Sequence, residues 1–418
     1  MAVHPTGRRN RAVAVVLLTL GALGGLIWTA QRIAEPASRH EVRASLSAVE
    51  PLTGDDTIGY ARALEPRVFE FPKDHGPHPD FRTEWWYVTG NLEAADGREF
   101  GIQLTFFRNS VAPSPPERSS AWNTNQLWMA HAAITDVAND RHVYGERFAR
   151  GAVGLAGAEP APFRVWLGDW EMRGPEGGTP LQEHPFPLEL EAAGEDWALH
   201  LTLGEGKPPV FHGEEGLSRK GPEPGNASYY YSFTRLPAHG RLEVEGEPVA
   251  VSGLGWIDRE WSTSALGTAH TGWDWFSLQL SDQREIMYFE LRRRGDGTPD
   301  PLNHGSLVEP DGTRRPLSSS QVELESLGTW ESPLDGTRYP SGWRLGIPEL
   351  GIELQVTPQV RDQEMNLAFR YWEGTVSVEG RGVGGAPVAG RGYVELTGYD
   401  EESFAPPSTP GVPASPRE

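Results

Sequence analysis

Two acidic residues set among large aromatic side chains form the strongest chemical signal in the sequence, in the run Gly253-Leu254-Gly255-Trp256-Ile257-Asp258-Arg259-Glu260-Trp261. Read as a β-strand, the run alternates its side chains, so Trp256, Asp258 and Glu260 share one face and Ile257, Arg259 and Trp261 the other. Asp258 then faces a like charge and not the arginine beside it. A carboxyl crowded by a second carboxyl and walled by indole has its pKa raised, which suits a general acid near neutral pH. The structural alternative is that Asp258 accepts turn hydrogen bonds while Arg259 and Glu260 form an ion pair.

Two other segments concentrate polar and aromatic groups. In His78-Pro79-Asp80-Phe81-Arg82-Thr83-Glu84-Trp85-Trp86-Tyr87, an extended chain points Glu84 and Trp86 one way and Trp85 and Tyr87 the other. The segment is either a cavity mouth with His78 and Glu84 as polar contacts or an aromatic strand that plugs its own barrel. Arg108 is expected to pair with a buried acid. The glycine-rich stretch 213–221, followed by Ser228-Tyr229-Tyr230-Tyr231-Ser232, is either a gate feeding a tyrosine strand or a solvated loop. His75 and His78 have no third ligand nearby, so no metal site is expected, and His131 reads as a core histidine. No nucleophile elbow, phosphate loop or dinucleotide fingerprint occurs in a suitable context, and no cofactor is expected.

The elements that must position these groups are strands. The 49 Gly and 36 Pro in 418 residues are scattered between short alternating segments, as expected of many turns joining many strands. Phe100, Ile102, Leu104 and Phe106 alternate onto one face, as do Trp197, Leu199, Leu201 and Leu203, and then Ile352, Leu354 and Val356. Asp96-Gly97 and Asp311-Gly312 supply hairpin turns. A net charge of −21 argues against a nucleic-acid partner, and the absence of cysteine removes disulfides and thiolate chemistry. The 15 Trp, 11 Tyr and 15 Phe serve an aromatic core and could also line a pocket for apolar ligands.

An internal echo sets the architecture. Trp85-Trp86-Tyr87 leads through Asp96-Gly97-Arg98-Glu99-Phe100, and Trp273-Asp274-Trp275-Phe276 leads through Asp282-Gln283-Arg284-Glu285-Ile286. The expectation is all-β, with two tandem lipocalin-like antiparallel barrels over 68–236 and 237–402. They follow a basic tip over 1–11, an apolar membrane segment over 12–30 and a linker over 31–67, and they precede a disordered Pro- and Ser-rich tail over 403–418. Arg8, Arg9 and Arg11 predict a cytoplasmic N-terminus and a periplasmic body on the bacterial inner membrane. An uncleaved anchor is favoured over a cleaved signal peptide, because Trp28 and Arg32 occupy places where cleavage wants small residues.

Taken together, these stretches resemble the carotenoid 1,2-hydratase family and its broader group of secreted, AttH-like, lipocalin-type proteins. The resemblance rests on residues 78–90, 213–216, 228–232 and 255–262, on Trp273-Asp274-Trp275-Phe276, and on Tyr371-Trp372-Glu373-Gly374 and Glu395-Leu396-Thr397-Gly398-Tyr399. It implies two lipocalin-like domains and cofactor-free addition of water across a carbon–carbon double bond. Asp258 matches the position of the family's acid. On this reading Trp256, Trp261, Trp273 and Trp275 line the pocket or stabilise positive charge, Glu260, Glu84 and Trp86 touch the ligand, and Tyr230 and Tyr231 stand behind them. The expected ligand is isoprenoid or lipid-like; the alternative is a non-catalytic carrier working with a transporter permease.

Overall fold

Wherever apolar residues alternate most strongly, the chain is strand. The structure, a computed structural model, describes residues 57–400 apart from 116, 118, 177–183, 264–265, 267–268 and 296–299. Phe100, Ile102, Leu104 and Phe106 are buried on one face of Glu99–Ser110, and the alternating residues of Trp197–Leu203 and Ile352–Pro358 are buried likewise. Helix among the described residues is limited to the 3-10 turns Lys73–His75, Pro348–Leu350 and Val383–Gly385, and no helix there is long and apolar enough to cross a membrane. The segments expected over 1–11, 12–30 and 403–418, and the linker before residue 57, lie outside the described residues.

The strands form two large antiparallel sheets. The main path of the first runs Arg141–Arg150, Gln126–Asp136, Glu99–Ser110, Thr83–Ala94, Glu247–Ser262, Ala227–Val244, Trp197–Leu203, Leu188–Ala193, Trp170–Arg173, Phe163–Leu167, Ala156–Pro160. That of the second runs Arg314–Ser318, His304–Val308, Glu285–Arg293, His270–Leu280, Pro387–Thr397, Arg370–Arg381, Ile352–Pro358, Trp343–Ile347, Glu323–Ser326. In both, a four-strand meander pairs its first strand with the last strand of the same sheet. The sequence echo is therefore a topological repeat, with the hairpin turns at Gly97 and Gln283 in left-handed conformation (φ 85° and 66°).

Two expectations need correction. The division at 236–237 falls inside the strand Ala227–Val244, and Glu247–Ser262 pairs with Thr83–Ala94, so the first sheet extends to Ser262. A proline beside a register shift between Phe233 and Leu236 mimics a break in the sequence while the strand continues through a bulge. The sheets also curl without closing into barrels. Ala132 and Val165, from strands far apart in the order, share one core, yet the two end strands do not pair with each other among the described residues. Alternation reports which face is buried, not whether an edge finds a partner.

Polar side chains join the two sheets. Thr234, Arg235 and Lys207 converge on the buried carboxylate of Glu285, and the Gln279 amide donates to the carbonyls of Thr234 and Gly255 at 2.8 and 3.0 Å. At Gly101 a Cβ would sit 2.7 Å from the Thr375 Cβ, so glycine there permits close approach.

Candidate active site

The cavity lies between the facing surfaces of the two sheets and measures about 110 Å³. Strand alternation decides its lining. From the first sheet come Trp85 and Tyr87, Tyr230, and Asp258 with Glu260; from the second come Trp273 and Trp275, Phe289, Tyr371 with Glu373, and Glu395. Register brings the polar ones together: Asp258 lies across from Tyr87 and Ser232, Glu260 across from Trp85 and Tyr230, and Glu395 across from Trp275 and Glu373.

Asp258 is 4 % exposed and accepts three hydrogen bonds. The Tyr230 hydroxyl donates to Oδ2 at 2.6 Å, while the Trp256 indole N–H at 2.6 Å and the Ser232 hydroxyl donate to Oδ1. Burial pushes its pKa up to about 7 against these three donors, and the Glu260 charge adds to the rise. The expected direction holds, but desolvation is the main cause and the neighbouring carboxylate the lesser one. Because Oδ1 already takes two donors, the proton of the acid form belongs on Oδ2.

Behind Ser232 the network continues. His212 Nε2 is 2.7 Å from the Ser232 hydroxyl and its Nδ1 is 2.9 Å from the Ser306 hydroxyl, which accepts from Arg314 Nε at 2.8 Å. Burial, with Arg314 beside it, holds the His212 pKa well below the ordinary value, so the imidazole is neutral. With Arg314 donating to Ser306, the Ser306 hydroxyl donates to Nδ1, so the neutral ring carries its proton on Nε2 and donates it to the Ser232 oxygen, which leaves the Ser232 hydroxyl proton for Asp258. Ser232→Ala removes a donor that favours the carboxylate, and an Asp258 titration midpoint above the wild-type one is expected in a carboxyl-labelled NMR titration. An unchanged or lower midpoint would contradict the assigned role.

Three further groups were not assigned from sequence. Lys220, at the end of the polar loop, pairs with Glu260 at 3.1 Å without hydrogen-bond alignment and lies 4.1 Å over the Phe289 ring. Burial raises the pKa of Glu395 to about 8, helped by the charge of Asp258, while the Trp273 indole N–H opposes the rise. Burial also raises Glu373 well above the carboxylate range, helped by Glu395; the nearby Tyr87 and Tyr371 hydroxyls offset part of this, although neither meets hydrogen-bond geometry to it. The signal for both acids was their place in aromatic strand motifs, but only the packing of the second sheet on the first puts them opposite Asp258.

Four of the predicted ligand contacts lie elsewhere. Glu84, Trp86, Tyr231 and Trp261 occupy the opposite face of the first sheet, within its own core. Glu84 binds Arg108 and Arg259; Arg259 lies 3.9 Å over the Trp86 ring; Trp261 stacks on His78 at 3.8 Å; the Tyr231 hydroxyl pairs with His75 at 2.7 Å. The reason is period two: they alternate with Trp85, Tyr87, Tyr230 and Glu260, which take the cavity face. Trp256 is on the cavity side and packs edge-on against Trp275 at 6.3 Å. His131 is buried between the Tyr371 hydroxyl at 2.8 Å and Glu146 at 3.0 Å.

Paired curled antiparallel sheets with an acid-bearing aromatic cavity between them define a lipocalin-like protein. The chain belongs to the AttH-like family, whose model matches residues 62–399. It is similar to the crystal structure of an AttH from Nitrosomonas europaea at 34% identity, covering 81% of this chain and 100% of that one with a TM-score of 0.70. The same fold occurs in kievitone hydratase from Nectria haematococca (16% identity, 81% and 96% coverage, TM-score 0.60) and in CghA solved with Sch210972 (13%, 84% and 98%, 0.52). No curated protein matches the sequence.

Proposed function

We propose that this protein binds the end of an apolar, isoprenoid or lipid-like molecule in the cavity between its sheets and adds water across a carbon–carbon double bond there, with Asp258 as the acid. The observation that carries the reading is a buried carboxyl with its pKa near 7, held by three donors in an aromatic cavity. Asp258 gives the proton on Oδ2 to one alkene carbon, and a tertiary carbocation forms at the other. Ring faces stabilise that cation. Water attacks it, and the proton that water then loses returns to the Asp258 carboxylate, so the acid is regenerated. The cavity has room for a few water-sized groups, which suits a ligand terminus and one water rather than a whole long-chain molecule. The occurrence of the fold in a protein named as a hydratase agrees with this chemistry without specifying a substrate.

The test has two parts. Mass spectrometry of molecules extracted from the protein purified from its native membrane is expected to return an unsaturated apolar compound or its hydrated product; a sugar or a peptide would sink the reading. With that compound in hand, Asp258→Asn is expected to keep binding and lose turnover. If wild-type protein binds the compound without converting it, the site belongs to a carrier.

A further inference from the structure

The cavity wall facing Asp258 holds two acids that the hydration steps do not use. Glu373 and Glu395 are register partners on adjacent strands and point to the same face. Like charges placed directly across an antiparallel pair are destabilising, and burial among rings adds to the cost. No lysine or arginine pairs with either among the described residues, and the nearby cation, Lys220, is committed to Glu260. Glu373 is 1 % exposed, and neither of its carboxyl oxygens has a hydrogen-bond partner. Asp258, by contrast, is supplied with three donors. The Glu373 carboxyl therefore lacks a donor, in a cavity also lined by Trp85, Phe107, Trp273 and Phe369.

Ring faces attract cations, and a buried carboxylate is satisfied by a charged N–H. We propose that the Glu373–Glu395 wall is a subsite for a positively charged nitrogen carried on an apolar body, so that the cavity takes hydrophobic amines in their protonated form. The inference rests on the cavity being the ligand site, as proposed above, but not on the hydration step. Burial favours the protonated form of both acids in the empty cavity, so a bound ammonium releases one of those protons to solvent and gives the resulting carboxylate its N–H, whereas a hydrocarbon of the same shape leaves Glu373 without a partner.

The experiment compares two molecules of one shape on the full-length protein in neutral buffer: N,N-dimethylbenzylamine, which is protonated there, and isobutylbenzene, its neutral carbon counterpart. Binding is followed by tryptophan fluorescence. The amine is expected to bind about tenfold or more tighter. Glu373→Gln is expected to erase that preference, bringing the two affinities within about twofold of each other. Equal wild-type affinities overturn the cation subsite and leave the apolar cavity standing. Binding of neither molecule overturns both readings, and a preference that survives in Glu373→Gln overturns the assignment to this wall.

Discussion

An Asp258→Asn protein is expected to lose all hydration turnover and to stand more stable than wild type at pH 8, with the difference shrinking to a constant offset at pH 4. The sign follows from linkage. The carboxyl has an ordinary value of 3.8 and rises to about 7 in the folded protein, so between those values the native state holds a proton that the unfolded state has lost. Wild-type stability therefore falls as pH rises through that window and levels off above it. Asparagine has no proton to lose, so its own contribution is flat. A shift of this size corresponds to stability on the order of a few kcal/mol. The amide can be housed: its oxygen accepts from Ser232 and Trp256, and its NH2 can donate to the Tyr230 oxygen, which already accepts from Trp275 at 3.1 Å. Glu395, with its pKa raised to about 8, extends the slope in both proteins. Urea denaturation at a series of pH values checks this; parallel curves for the two proteins would show that Asp258 has no raised pKa in the fold.

Much of this site was legible because a strand's period is two. The run from Trp256 to Trp261 assigns its own faces, and the structure places Asp258 and Glu260 in the cavity with Arg259 and Trp261 behind. The same rule sorts Trp85 from Trp86 and Tyr230 from Tyr231, but which face met the cavity could not be read from either segment alone. That depends on which side of the first sheet meets the second, and the packing of the two sheets decides it between residues far apart in sequence. Thus Tyr87 lies across from Asp258, and Glu373 across from Glu395, through registers that no local pattern encodes. The His212 relay was equally hidden, since a histidine followed by glycine in a polar stretch gives no hint of Ser232 and Ser306 on its two nitrogens. Arg108 was the easier case, because a charge closing an apolar strand needs a buried counter-charge.

That counter-charge sets the largest expected loss of stability. Glu84 is fully buried, and its carboxylate is shared by Arg108 and Arg259, themselves nearly inaccessible. Burial alone would raise its pKa, but the two guanidinium groups and His78 hold it well below the carboxylate range. Glu84→Gln keeps the volume and removes the charge, leaving two desolvated cations without it, at an expected cost of about 3–5 kcal/mol. Replacing Glu84, Arg108 and Arg259 together by methionine is expected to cost less than that single change, because no buried charge is then left unpaired. The pH signature separates this cluster from Asp258. A depressed carboxyl contributes fully above its unfolded value of about 4.5 and loses that contribution only as pH falls, so the Glu84→Gln deficit is flat from pH 6 to 9. Urea denaturation of the single and triple variants checks both points, and a single-variant loss below about 1 kcal/mol would mean that water reaches the pair. Because Arg259 sits between Asp258 and Glu260 on one strand, the cluster anchors from behind the backbone that presents the acid to the cavity.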